Sequence, residues 1–284
     1  MDGGARLKAG LICGAGHSGS TLLGMILGSH SHAFYMGEGS KARNIGDETK
    51  PLHKRVCKLC GESCPVWGDF RWDRSAPLYE QVAKRTSRRV IIDSTKNDRW
   101  ITERIAETRA AGGQSCLFLL MRDGRAVVNS RLRKYPDRNP EQLVYDWIAQ
   151  MERSQALYTG FDGPRMCLHY EKLATEPEPM VRAACDLLGI PFEPVMLHFH
   201  AAEHHPLGGN NGPQFLAAQE RFDNPNAAFV TLNQRTREYY ETHGSQIRLD
   251  LRWKQELSPE NVALFDMVAG HLNNPASWGI KAYG

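Results

Sequence analysis

The stretch 14-GAGHSGSTLLGMILGSH-30 decides how the rest of the chain is read. It follows the apolar run 7-LKAGLIC-13, and a glycine-rich turn between an apolar strand and a helix is the frame of a phosphate-binding loop, G-x-x-x-x-G-K-[ST]. Gly14, Gly19 and Thr21 hold their places in that frame, but Ser20 stands where the lysine belongs. In loops that serve ATP or GTP the lysine reaches the β- and γ-phosphates and the Ser/Thr holds magnesium. What survives without it is a run of backbone N–H groups at a helix N-terminus and the hydroxyls of Ser18, Ser20 and Thr21, a set suited to one phosphate-sized anion. A small-residue turn that binds nothing has the same appearance, so other stretches must decide.

Outward from the loop, β-rich runs alternate with helical ones. "LKAGLIC", "RRVIID", "QSCLFLLM" and "RMCLHY" read as strands. Helices are expected at Ser20 to Gly28, Asp98 to Ala111, Asp123 (as N-cap) to Lys134, Pro140 to Tyr158, Pro177 to Leu188, Thr231 to Thr242 and Pro259 to Leu272. That alternation predicts an α/β chain with a central parallel sheet flanked by helices. Residues 39–77 are polar, lysine- and arginine-rich and cysteine-bearing, and read as an insertion over one end of the sheet within a single domain spanning 1–284.

The totals are those of an ordinary globular protein: 284 residues, 41% hydrophobic, 24% charged, net charge +3. Basic and acidic residues are interspersed, which argues against a nucleic-acid partner and for a local basic pocket. The amino-terminal apolar run is too short for a signal segment and no window approaches a membrane span, so a cytoplasmic protein with no membrane contact is expected. Its seven cysteines are then reduced thiols.

The stretch 118-FLLMRDGRAVVNSRLRK-134 reads alone as a surface helix with solvated charges and, paired with the first loop, as a second anion site. Arg122 falls at the carboxyl edge of a strand, where ligands of open α/β sheets bind, and Ser130 and Lys134 share a helix face. Here the chain resembles a family. "GHSGSTLL" resembles the 5′-phosphosulfate loop of sulfotransferases that use 3′-phosphoadenosine 5′-phosphosulfate (PAPS), and "RDGRAVVNS" resembles their 3′-phosphate motif. "YEKLATEPEPMVRAACDLLGIPFEP" is similar to the segment that opens with a tyrosine near the nucleotide, here Tyr170. The matches run from about Leu11 to His198 and are nearest to bacterial and tyrosylprotein sulfotransferases.

The resemblance implies a P-loop-NTPase-like fold and sulfonyl transfer from PAPS to an acceptor hydroxyl on a small molecule or peptide, leaving 3′-phosphoadenosine 5′-phosphate (PAP). It accounts for the missing lysine, since PAPS has no γ-phosphate and the family needs no magnesium. It implies that Gly16, His17, Ser18, Gly19, Ser20 and Thr21 hold the 5′-phosphate end, and that Arg122, Ser130, Lys134 and Tyr170 hold the 3′-phosphate side. Glu38, in 33-AFYMGEGSK-41, corresponds to the family's base, and Lys96, in 90-VIIDSTKNDRW-100, to a lysine facing the transferring sulfonate. His17 stands where the family has lysine or arginine; it either carries a proton toward the leaving oxygen or stays neutral and donates one hydrogen bond.

Two further groupings invite chemistry. His53, Cys57, Cys60 and Cys64 have spacings open to a structural zinc or to packed thiols; the C-x-x-C half matches the usual pattern and the other half does not, so no metal is assigned. The late run 196-MLHFHAAEHHPLGGNNG-212 reads as a loop over the nucleotide or acceptor, with Gln214 where a cationic contact is expected. Trp67, Phe70, Trp72, His204 and His205 are candidates for an acceptor pocket. Rival readings are a P-loop kinase or NTPase with a displaced lysine, and a zinc-ribbon-bearing binding protein.

Overall fold

The computed structural model describes residues 6–222 and 228–274. Five strands form one sheet: β1 (Lys8–Cys13), β2 (Ala33–Tyr35), β3 (Val90–Asp93), β4 (Gln114–Met121) and β5 (Arg165–His169), in the order β2-β3-β1-β4-β5, every neighbouring pair parallel. The strands are unbroken apolar runs because parallel strands are covered on both faces. Ile12, Ile92 and Leu117 to Phe118 are fully buried accordingly.

The helices are α1 (Ser20–Gly28), α2 (Leu78–Thr86), α3 (Asp98–Ala110), α4 (Gly124–Lys134), α5 (Pro140–Gly160), α6 (Tyr170–Thr175), α7 (Pro177–Leu188), α8 (Asn211–Arg221), α9 (Gln234–His243), α10 (Trp253–Glu256) and α11 (Pro259–Ala269). Asp123 caps α4 as expected, its carboxylate accepting from the Arg125 N–H at 2.9 Å. Four helices and one strand are not legible in the sequence. β2 is three residues at the sheet edge, α2, α6 and α10 are short, and α8 starts inside the glycine-rich run, with Asn210 as cap and Pro213 in its first turn. The helix expected from Thr231 begins at Gln234, where Asn233 caps it. Residues 39–77 contain only two short 3₁₀ turns, Gly39–Asn44 and Leu52–Lys54.

This strand order makes a switch point. The chain leaves β1 through α1 toward β2 on one side, and leaves β4 through α4 and α5 toward β5 on the other. The loops after β1 and β4 therefore diverge and open a crevice at their carboxyl ends. Gly14 and Arg122 are the first residues of those two loops.

Candidate active site

The loop after β1 turns on Gly14, whose φ of 126° suits glycine and whose backbone passes so close to β4 that a Cβ would lie 2.3 Å from the Leu120 carbonyl oxygen. Two side chains of α5 hold the loop: Ser154 Oγ accepts from the Gly14 N–H at 3.1 Å and Gln150 Oε1 from the Gly16 N–H at 3.0 Å. α1 then begins at Ser20 with no side chain capping it. Its first-turn N–H groups have no intrahelical acceptor. The buried Ser18 hydroxyl has no partner among the described residues. Thr21 Oγ accepts from the Asn210 N–H at 2.9 Å, which ties this helix start to the late glycine-rich segment.

Beyond the loop after β4, charge gathers. Arg122 is buried; its guanidinium donates to the His17 carbonyl at 3.1 Å, lies 3.4 Å from the Asp250 carboxylate and stacks 4.2 Å over the Tyr170 ring, while its Nε has no partner among the described residues. Arg252 and Arg133 also approach Asp250, at 2.8 and 4.0 Å. Burial opposes ionisation of that carboxyl, but Arg252, Arg122 and Arg133 hold it well below the usual carboxylate range. Arg133 also pairs with Glu256 at 3.0 Å, so three guanidiniums share two carboxylates and leave the region positive. Tyr170 sets its geometry: its hydroxyl donates to the Arg248 carbonyl at 3.0 Å and accepts from the Asp250 N–H at 3.1 Å.

His17 links the two regions, its Nδ1 lying 2.9 Å from Ser130 Oγ. Burial first, then the charges of Lys134, Arg131, Arg122 and Arg133, push its pKa down to about 3. Burial and these charges favour the neutral ring in this state of the protein.

The third region is built on Asp93. Its carboxylate accepts from the Gly39 N–H (2.9 Å), the Thr95 N–H (2.8 Å) and hydroxyl (2.7 Å), the Tyr79 hydroxyl (2.8 Å) and the Trp100 indole (2.8 Å). Glu38 precedes Gly39 and Lys96 follows Thr95, so one buried carboxylate fixes the backbone that presents both. The Glu38 N–H donates to the Leu207 carbonyl at 2.7 Å, and its carboxylate, a third exposed, lies 3.9 Å from Lys41 Nζ. Lys96 Nζ donates to the Ser94 carbonyl. Burial lowers the pKa of Lys96, and the carboxylates of Glu38 and Asp93 partly offset it.

One cavity of about 780 Å³ joins these regions. It is lined by Gly16, His17, Gly19, Ser20, Thr21, Glu38, Lys96, Arg122, Ser130, Lys134 and Tyr170, with Ser18 buried beside it. Sequence reasoning does not find Arg133, Asp250 and Arg252, which also line it. Arg133 carries a signal, lying one turn from Ser130 on α4; Asp250 and Arg252 sit in a late segment without a motif.

The expected acceptor-pocket residues are elsewhere. Trp67 and Phe70 are buried in the core, 5.2 Å apart centre to centre. Trp72 stacks under Arg74, and His204 is buried on the Phe199 carbonyl at 2.6 Å. None of these four lines the cavity, nor does His205. Gln214 is likewise buried and donates to the Gly208 carbonyl at 2.7 Å, bracing the glycine turn rather than meeting a ligand. His53 is separate from the cysteines; His205 takes its place, so that the donor atoms of Cys57, Cys60, Cys64 and His205 lie within 4.8 Å of one another. The cysteines are free thiols.

The model of the sulfotransferase family matches residues 11–194. Among solved structures, the fold is similar to the sulfotransferase domain from the Synechococcus PCC 7002 olefin synthase (20% identity, 86% of this chain and 96% of that one, TM-score 0.54). It is also similar to the sulfotransferase domain from the curacin biosynthetic pathway (18% identity, 98% and 99%, TM-score 0.52). A mouse sulfotransferase complexed with PAP is a more distant likeness (13% identity, 98% and 89%, TM-score 0.50). No curated protein matches the chain in sequence. No helix among the described residues is long and apolar enough to cross a membrane.

Proposed function

The chain belongs to the sulfotransferase family, and from that premise we propose that it uses PAPS as donor and transfers the sulfonyl group to an acceptor hydroxyl by in-line displacement. The observation that carries this reading is the pair of anion-ready regions at the ends of β1 and β4, opening into one cavity. The residues present fit the donor. The uncapped start of α1 and the unpartnered Ser18 hydroxyl await acceptor oxygens, and Gly16 to Thr21 would hold the 5′-phosphate end. Arg122, with a free Nε–H, Ser130 and Lys134 would hold the 3′-phosphate, with Arg133 and Arg252 adding positive charge and Tyr170 alongside.

PAPS, when bound, supplies an activated sulfonyl group and a stable leaving group. The protein's own work is then positional and electrostatic. Glu38 accepts the proton of the acceptor hydroxyl as that oxygen becomes acidic. Lys96, fixed beside it, keeps a positive charge where negative charge grows, which favours the transition state over the bound ground state. His17, hydrogen-bonded to Ser130, holds the loop in register with α4. The mild, evenly spread net charge favours a small-molecule or peptide hydroxyl over nucleic acid as the acceptor.

The test is Glu38→Ala. It is expected to keep PAP affinity and to lower kcat by about 10² to 10⁴, the usual contribution of a general base. Near-normal transfer by this variant would remove Glu38 from the mechanism.

A further inference from the structure

We propose that Cys57, Cys60, Cys64 and His205 bind one structural zinc ion, which fastens the cysteine-bearing segment to the late strap running past Glu38. The donor set is three sulfurs and one imidazole nitrogen, the chemistry zinc takes in closed tetrahedral sites. Tetrahedral zinc with Zn–S of about 2.3 Å and Zn–N of about 2.0 to 2.1 Å sets its sulfurs roughly 3.8 Å apart and sulfur to nitrogen roughly 3.6 Å. His205 Nδ1 lies 3.3 Å from Cys60 Sγ and 3.4 Å from Cys64 Sγ, and all four donor atoms fall within 4.8 Å. That spacing can surround an ion, and the three cysteines are free rather than joined at the roughly 2.05 Å of a disulfide.

The surroundings are those of a metal site. The other imidazole nitrogen, Nε2, is 3.1 Å from the Glu203 carboxylate, which Arg221 holds in turn at 2.9 Å. A carboxylate behind a ligating histidine fixes the tautomer that leaves Nδ1 free for metal. The Cys60 N–H donates to Cys57 Sγ at 3.4 Å and the Gly61 N–H to the Cys57 carbonyl at 3.1 Å, so the C-x-x-C-G run forms a tight knuckle. Gly61 closes it at a φ of 65°, with the Phe229 ring 2.7 Å from where a Cβ would be.

The site also answers a structural need. Residues 39–77 hold two short 3₁₀ turns and no other helix or strand, and their own backbone bonds are local turns rather than ladders to the sheet. The metal would join them to residues 205–207 beside two existing bonds, Lys58 N–H to the Pro206 carbonyl (3.0 Å) and the Trp67 indole to the His205 carbonyl (2.6 Å), next to the bond from the Glu38 N–H to the Leu207 carbonyl (2.7 Å). All four positions are filled by protein, so the ion is structural and takes no part in transfer. The site stands independently of the donor proposed above.

The experiment is metal analysis of tag-free protein purified without chelator, followed by cobalt replacement under reducing conditions. The expected result is one zinc per chain, and a cobalt protein with the intense visible bands and thiolate-to-metal charge transfer of tetrahedral sulfur ligation. His53→Ala should keep the metal; His205→Ala should lose it or change the cobalt spectrum, with a lower melting temperature. Wild-type protein that is folded, metal-free and unable to take up cobalt would overturn the proposal without any variant. So would a disulfide among the three cysteines, or loss of metal in His53→Ala with retention in His205→Ala.

Discussion

Histidine 17 has a backbone φ of 76°, a left-handed conformation that costs a non-glycine residue about 1 kcal/mol or more. The strain aims the ring at Ser130, where burial first and then the surrounding cations hold its pKa near 3 against an ordinary 6.5. Between those values the folded chain binds fewer protons here than the unfolded chain does, so this group's contribution to stability is present above the ordinary value and is lost as the pH falls toward the folded one. A phosphate dianion beside the ring reverses its surroundings and raises its pKa. Binding of PAP should therefore take up a proton at His17, and this component of the affinity should grow as the pH falls toward the free protein's value of about 3. His17→Asn, which tolerates the left-handed backbone, should lack that component. Calorimetric titrations in buffers of different ionisation enthalpy measure it; equal proton uptake by both proteins would place the anion elsewhere. Arg122 is the second test at this scale. Arg122→Lys keeps the charge but loses the fork and the Nε–H, and should weaken PAP binding about tenfold or more in equilibrium titration.

At the level of elements, the exit of β3 does more than its four residues suggest. Asp93 accepts five hydrogen bonds and so joins α2, α3 and the Glu38 loop at one point. Asp93→Asn replaces a lone-pair oxygen by an amide that cannot accept. A cost of about 3 kcal/mol is expected in denaturant unfolding, the upper range for charged hydrogen bonds. A fall in kcat should accompany it, because Glu38 and Lys96 flank the lost bonds. The strands and long helices are legible in the sequence because their signals are local: apolar runs for β1, β3, β4 and β5, and capping residues such as Asp123 and Asn139. β2 is not, since three residues at an edge set no pattern. α8 is hidden by a glycine pair that reads as loop, and only the Asn210 cap marks the helix start behind it.

Across the whole molecule, the site draws on both ends of the chain. The loop after β1 and Arg122 can be read in sequence because each motif is complete within about a dozen residues. Asp250 meets Arg122 across more than a hundred residues and brings its partner Arg252 with it, and His205 meets the cysteines in the same way. Contacts at that separation leave no spacing to recognise, so a spacing argument selects His53, which is nearer in sequence, over His205. PAP should stabilise the whole fold: at a hundred times its Kd the gain is about 2.7 kcal/mol, hence a rise of several degrees in Tm by scanning calorimetry. The shift should need no magnesium and should exceed that given by ATP. A magnesium-dependent preference for ATP would favour the kinase reading.

Thr21 offers one oxygen to two neighbours. Its lone pair is engaged by the Asn210 amide, while its hydroxyl proton, directed toward the Tyr35 hydroxyl, can turn to a ligand. Whatever anion takes that proton also tightens the tether on the late segment that runs past Glu38. The donor thereby prepares the seat of its own co-reactant, and turnover should proceed in a compulsory order, nucleotide entering first and leaving last.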